Sequence, residues 1–140
     1  MRIVIDTNVV IAASRSRQGA SNALLVATLG GQGQWLCSVP LFLEYEEVLL
    51  RADFLLDTGH SKAGIAAFLS GIASVIEPVD LHFLWRPQLR DPKDEMVLET
   101  AANGRADLLV THNVRDFRGA EPLFEFEVVT PAEALRRIRS

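Results

Sequence analysis

The sequence predicts an α/β protein of three layers, with helices on both faces of a central parallel sheet of about five strands. Two short runs, Ile3-Val4-Ile5 and Leu108-Leu109-Val110, are apolar without alternation, as strands buried on both faces are. Stretches with apolar residues at helical spacing separate the strand-like segments, the alternation that builds βαβ units. No repeat, low-complexity tract or linker interrupts the pattern, and 140 residues suffice for one hydrophobic core. The expectation is a single domain over residues 1–140.

The elements follow in order. Residues 2–6 form the first strand, and residues 7–13 and 20–29 two helices, the second closed by Gly30-Gly31-Gln32-Gly33. A strand at 35–38 leads into a helix over 39–51, where Leu41, Tyr45, Val48 and Leu49 make one apolar stripe. Thr58-Gly59-His60 separates it from a helix over 61–73, whose stripe is Ile65, Phe68, Leu69 and Ile72. A strand at 75–79 follows. Asp91-Pro92 reads as N-cap and first residue of a helix over 92–103. Strands at 107–111 and 126–130 come next, and Thr130-Pro131 opens a last helix over 131–139. Its terminal Arg136, Arg137 and Arg139 suit a helix C-terminus electrostatically and need no ligand to explain them.

Composition is that of an ordinary globular protein. A net charge of −4 argues against a general nucleic-acid coat, which tends to be basic, but not against a nucleic-acid enzyme. Cys37 is the single cysteine, which excludes an internal disulfide framework and fits a reducing compartment. Within Trp35-Leu36-Cys37 it reads as a small buried hydrophobe. No run approaches the roughly 18 apolar residues of a membrane helix, and the N-terminus reads as a strand rather than a signal peptide. The expected location is the cytoplasm, with no membrane partner.

Four carboxylates stand out. Asp6 follows the first strand, where open α/β sheets bind ligands outside the carboxyl ends of their strands, although an aspartate there also suits a helix N-cap. Glu44 lies at the edge of its helix's apolar stripe, whereas Glu46 and Glu47 point away from it as solvated surface. Asp94 falls in a first helical turn, a favourable place for a carboxylate on its own account. Yet Asp94, Val97, Leu98 and Ala101 share one face, so the acid is turned towards the protein, where a charge must be paired or bind a metal. After Leu108-Leu109-Val110, the segment Thr111-His112-Asn113 leads to Asp116, which either joins the acids or caps a short turn. His112 in that loop has no specific role by itself.

Two unit charges about 4 Å apart repel by about 1 kcal/mol in water and about 4 kcal/mol at a protein-surface dielectric. Three or four acids gathered at one end of a sheet therefore imply a cation. Hard divalent ions such as Mg²⁺ or Mn²⁺ prefer oxygen ligands, while the histidines and Cys37 lack zinc-ligand spacing. Arg15, Arg17, Arg115 and Arg118 flank the acidic segments and either steer an RNA polyanion or are ordinary solvated arginines.

These motifs resemble the PIN-domain family, small metal-dependent nucleases that include the VapC-type toxins of toxin–antitoxin modules. The resemblance spans essentially the whole chain. It is carried by Ile3-Val4-Ile5-Asp6-Thr7-Asn8, by Glu44 with Val48-Leu49, by Asp91-Pro92-Lys93-Asp94 with Thr100-Ala101, and by Val110-Thr111-His112-Asn113 with Asp116-Phe117. It implies a PIN-like sheet with the first and fourth strands adjacent at its centre. It matches Asp6, Glu44 and Asp94 to the family's first three acids, Asn8 to a residue orienting the first, and Ser38 to a hydroxyl near the site. Asn113 stands where many members carry an aspartate, and Asp116 lies three residues on.

The resemblance thus implies hydrolysis of RNA phosphodiesters with Mg²⁺ or Mn²⁺, catalysed by Asp6, Glu44, Asp94 and Asp116. Asn8, Ser38, Thr111 and Asn113 would support these acids. It further implies an antitoxin partner and a homodimer, with the helix over 61–73 as one possible face. Two alternatives stand beside it. One is a catalytically weak RNA- or protein-binding module, motivated by Asn113. The other is a phosphatase of the haloacid-dehalogenase type with Asp6 as nucleophile, against which Asn8 occupies the place of that family's usual second aspartate.

Overall fold

The computed structural model describes residues 1–82, 91–117 and 125–140. Five parallel strands form the sheet, β1 (Arg2–Ile5), β2 (Gln34–Cys37), β3 (Glu77–Pro78), β4 (Leu108–Val110) and β5 (Glu127–Val129). Their spatial order is β3-β2-β1-β4-β5, every neighbouring pair parallel. Ile3, Val4 and Ile5 are all fully buried. Successive strand residues point to opposite faces, so both faces of the sheet are covered and the architecture is the expected α/β/α.

The helices are α1 (Thr7–Arg15), α2 (Ala20–Leu29), α3 (Val39–Leu49), α4 (Ala52–Thr58), α5 (Lys62–Val75), α6 (Pro92–Asn103), α7 (Val114–Phe117) and α8 (Pro131–Arg139). Their starts are written in the sequence. Ser38, Ser61, Asp91 and Thr130 each accept a hydrogen bond from a backbone N–H of the first turn, and proline follows three of them closely.

Three boundaries differ from expectation. The helix expected over 39–51 stops at Leu49, and α4 follows as a separate element. Arg51 at its N-cap offers no side-chain acceptor, so the usual start signal is missing; burial of Phe54 holds the helix in place, and Gly59 ends it in the left-handed region. The strand expected at 75–79 shrinks to Glu77–Pro78, because α5 runs on through Val75 and Ile76 is its extended C-cap. Pro78, which donates no hydrogen bond, sits in this edge strand, where that loss is tolerated. The turn around Asp116 is the short helix α7, anchored by the fully buried Phe117.

Ile65, Leu69 and Ile72 of α5 are buried in the core and Phe68 packs against it. That stripe faces inward and offers no ready dimer surface. Arg118 lies outside the described residues. Among the described residues, no helix is long and apolar enough to cross a membrane.

Candidate active site

Strand order places the site. From β1 the chain steps outward to β2 and β3, then returns to the other side of β1 for β4 and β5. The direction reverses between β1 and β4, and ligands bind at such switch points, beyond the carboxyl ends of the strands. Asp6 and Thr111 are the residues that follow these two strands. The Asp6 backbone N–H donates to Val110 O at 2.9 Å, which carries the ladder one residue further and fixes the start of the Asp6 side chain.

Asp6 is 7% exposed, and its Oδ2 accepts a 2.7 Å hydrogen bond from the buried Thr111 hydroxyl. Thr111 Oγ1 in turn accepts from Asn8 Nδ2 at 3.3 Å and from the Asn113 backbone N–H at 3.0 Å. The hydroxyl's one donor and two acceptor positions are all used, which locks its proton onto Asp6. Asn8 Oδ1 receives the His112 backbone N–H at 3.3 Å, while the His112 ring contacts Ser21 Oγ at 2.9 Å. The imidazole is thus engaged with α2. Burial pushes the Asp6 carboxyl above its ordinary range; the Thr111 hydrogen bond and the Thr7 N–H oppose this, and the Glu44 charge adds to it.

Asp94 reaches the same place from α6. Asp91 supplies the cap of that helix through the Lys93 N–H at 2.9 Å, so the cap does not require Asp94. Half-buried Asp94 has its pKa raised to about 6, first by burial, then by the charges of Asp6, Asp91, Asp116 and Glu95. A helix N-terminus normally favours a carboxylate; here desolvation and like charge prevail over it.

Asp6, Asn8, Glu44, Asp94 and Asn113 line one open cleft of about 240 Å³. Glu44 is mostly covered, with its Oε1 3.8 Å from Lys93 Nζ. Asn113 lines the cleft, whereas exposed Asp116 stands outside its lining and acts on Asp94 through its charge. Beneath the cleft, the fully buried Tyr45 hydroxyl donates to the Ile5 carbonyl, the last of β1.

Other expected residues lie elsewhere. Ser38 Oγ is 2.7 Å from Thr100 Oγ1 and caps α3; it lines a separate, largely apolar cavity. The Arg15 guanidinium stacks over Phe54, 5.2 Å from the ring centroid, and Arg17 lines a groove with residues of α2 and α5. Arg115 is exposed on α7. Two cations that the reading of the sequence did not assign to the site, Lys93 and Arg51, line the cleft instead. Lys93 was visible as the residue before Asp94, but nothing in the sequence marked it as a cation of the site.

The donor set consists of carboxylate and amide oxygens with an excess of negative charge, which fits a hard divalent cation rather than a soft one. Among the described residues, no three carboxylate, imidazole or thiol side chains stand close enough to enclose an ion by themselves. That suits a site in which one or two carboxylates are completed by waters and substrate oxygens, as Mg²⁺ sites commonly are.

Fold and cleft together make a five-stranded parallel α/β/α protein with acids at its switch point. The sequence matches the family model described as PIN domain over residues 2–115, and the chain belongs to that family. No curated protein sequence matches it. Its fold is similar to a chain in the crystal structure of VapBC2 from Rickettsia felis bound to a DNA fragment from their promoter. The TM-score is 0.63 at 15% identity, covering 93% of this chain and 98% of that one.

Proposed function

We propose that this chain is a single PIN domain acting as a Mg²⁺- or Mn²⁺-dependent endoribonuclease of the VapC-like toxin type. The observation that supports this most is the pairing of Asp6 and Asp94. Two carboxylates from distant parts of the chain share a cleft at the switch point, and the Asp6 charge adds to the cost of ionising Asp94. Folding would not favour this arrangement unless something positive or a reaction compensated it.

In this reading Asp6 and Asp94 hold the cation. When bound, it supplies Lewis acidity, drawing charge from a phosphate oxygen and favouring ionisation of an attacking water. Thr111 and Asn8 fix the Asp6 carboxylate so that little reorganisation is needed on binding. Glu44 accepts the proton of the water that attacks phosphorus. Asn113 contributes an uncharged oxygen, and Asp116 adds field without lining the cleft. Hydrolysis breaks the bond between phosphorus and the leaving sugar oxygen.

The solved complex similar in fold is a VapBC assembly, and this supports an antitoxin as partner here. A cytoplasmic homodimer completes the proposal; sedimentation at micromolar concentration decides its oligomeric part.

Cleavage of a mixed RNA pool with Mg²⁺, Mn²⁺ or EDTA tests the activity, wild type beside Asp6→Asn and Asp94→Asn. Cutting should require metal and fall below detection in both variants. Cutting that persists in EDTA, or in Asp94→Asn, overturns the assignment. A second reading, a catalytically weak RNA- or protein-binding module, draws on Asn113 in the fourth position and on the lack of a preformed three-acid cage among the described residues. Metal-independent RNA binding without cutting in the wild type favours it.

A further inference from the structure

Lys93 and Arg51 line the cleft beside Asp6, Glu44 and Asp94. Resting on the nuclease reading above, we infer that these two cations form a phosphate-binding bracket that seats the backbone of single-stranded RNA next to the acids.

An acidic cleft in a chain of net charge −4 repels a polyanion, so local cations must supply the attraction. Both cations are close to Glu44: Lys93 pairs with it, and its charge also acts on Arg51. Neither is firmly committed. The Lys93–Glu44 separation of 3.8 Å is well beyond the roughly 2.7–2.9 Å of a charge-assisted hydrogen bond, and the lysine side chain is 60% exposed. Arg51 pairs with Glu47 at 3.0 Å one helical turn away, with both partners largely in solvent. An exposed pair such as Arg51–Glu47 contributes about 0–1 kcal/mol, so a phosphate replaces that carboxylate at little cost. Arginine presents a planar fork to phosphate and lysine a compact point charge, so the two complement each other along a strand.

Of the four arginines expected to do this from sequence, Arg15 stands at the far end of α1. That helix starts beside Asp6 and rises about 1.5 Å per residue, so Arg15 lies roughly 13 Å along it, while Arg17 lines the groove with α2 and α5. Arg15 is also held over Phe54.

Fluorescence anisotropy of a labelled single-stranded RNA oligonucleotide tests the bracket. The full chain carries Asp94→Asn so that the RNA stays intact, with Mg²⁺ present and potassium chloride varied. Each phosphate contact on a single strand contributes about 0.7 to the slope of log affinity against log salt. Lys93→Gln and Arg51→Gln should each reduce the slope by about 0.7. Lys93→Arg should keep the parent slope, as should Arg15→Gln and Arg17→Gln. If RNA binds but Lys93→Gln and Arg51→Gln keep the parent slope, the bracket is wrong and the nuclease reading stands. Equal losses in Arg15→Gln and Arg17→Gln overturn it in the same way. If the parent binds no RNA at any salt, the RNA reading itself fails.

Discussion

Asp94 shows how one side chain can be placed against its own preference. The folded protein holds its pKa at about 6, against 3.8 for an ordinary aspartate. Between those values the folded chain binds a proton that the unfolded chain has released, so stability falls as pH rises from about 4 to about 6. Asp94→Asn removes that loss. In EDTA, urea denaturation should find the variant gaining on wild type across this window and keeping its advantage at pH 7. Parallel stability curves for the two proteins would show that Asp94 is solvated like any surface acid. Legibility also begins at this scale. The i, i+3, i+4, i+7 spacing of Asp94 with Val97, Leu98 and Ala101 correctly turned it inward, but spacing says nothing of Lys93 and Arg51 arriving beside it.

Single helices carry their own instructions at their ends. Thr100 donates its hydroxyl proton to Met96 O, so the 2.7 Å contact with Ser38 has Ser38 as donor. Ser38 meanwhile accepts from the Leu41 N–H. One buried hydroxyl therefore starts α3 and ties it to α6, the two helices that carry Glu44 and Asp94. Ser38→Ala should cost about 0.5–2 kcal/mol in urea denaturation, the usual range for losing an N-cap. Affinity for RNA in the folded protein should not change. A large loss of RNA affinity with unchanged stability would instead place Ser38 in direct contact with the substrate. The capped helices were legible because a cap is a local signal; the start of α4 was not, since Arg51 provides none and the packing of Phe54 and Leu55 on the core defines it.

The whole molecule gathers acids from three separated segments into one cleft at the end of its sheet. A cation that binds only this arrangement stabilises the fold by mass action, about 2.7 kcal/mol at a hundred times its dissociation constant. For a domain of this size that corresponds to a rise in melting temperature of roughly 9 °C. Mg²⁺ or Mn²⁺ should produce it in wild type and not in an Asp6→Asn/Asp94→Asn double variant. Equal shifts in both would mean that the ion binds elsewhere.

What the sequence determined by itself is the local part. Continuous apolar runs specified strands buried on both faces, and Asp91-Pro92 and Thr130-Pro131 specified helix starts. A polar residue directly after a buried strand specified where the ligand end lies. Each follows from backbone geometry and solvation within a few residues. The tertiary structure alone decided partners. It set Asn113 rather than Asp116 at the cleft, turned Ser38 to Thr100, held Arg15 over Phe54 and Arg17 in the groove with α2 and α5, and brought Lys93 and Arg51 in. Periodicity fixes the face a residue takes on its own element. Which element lies opposite depends on how the crossovers order the strands, and that order results from burial summed over the whole sheet.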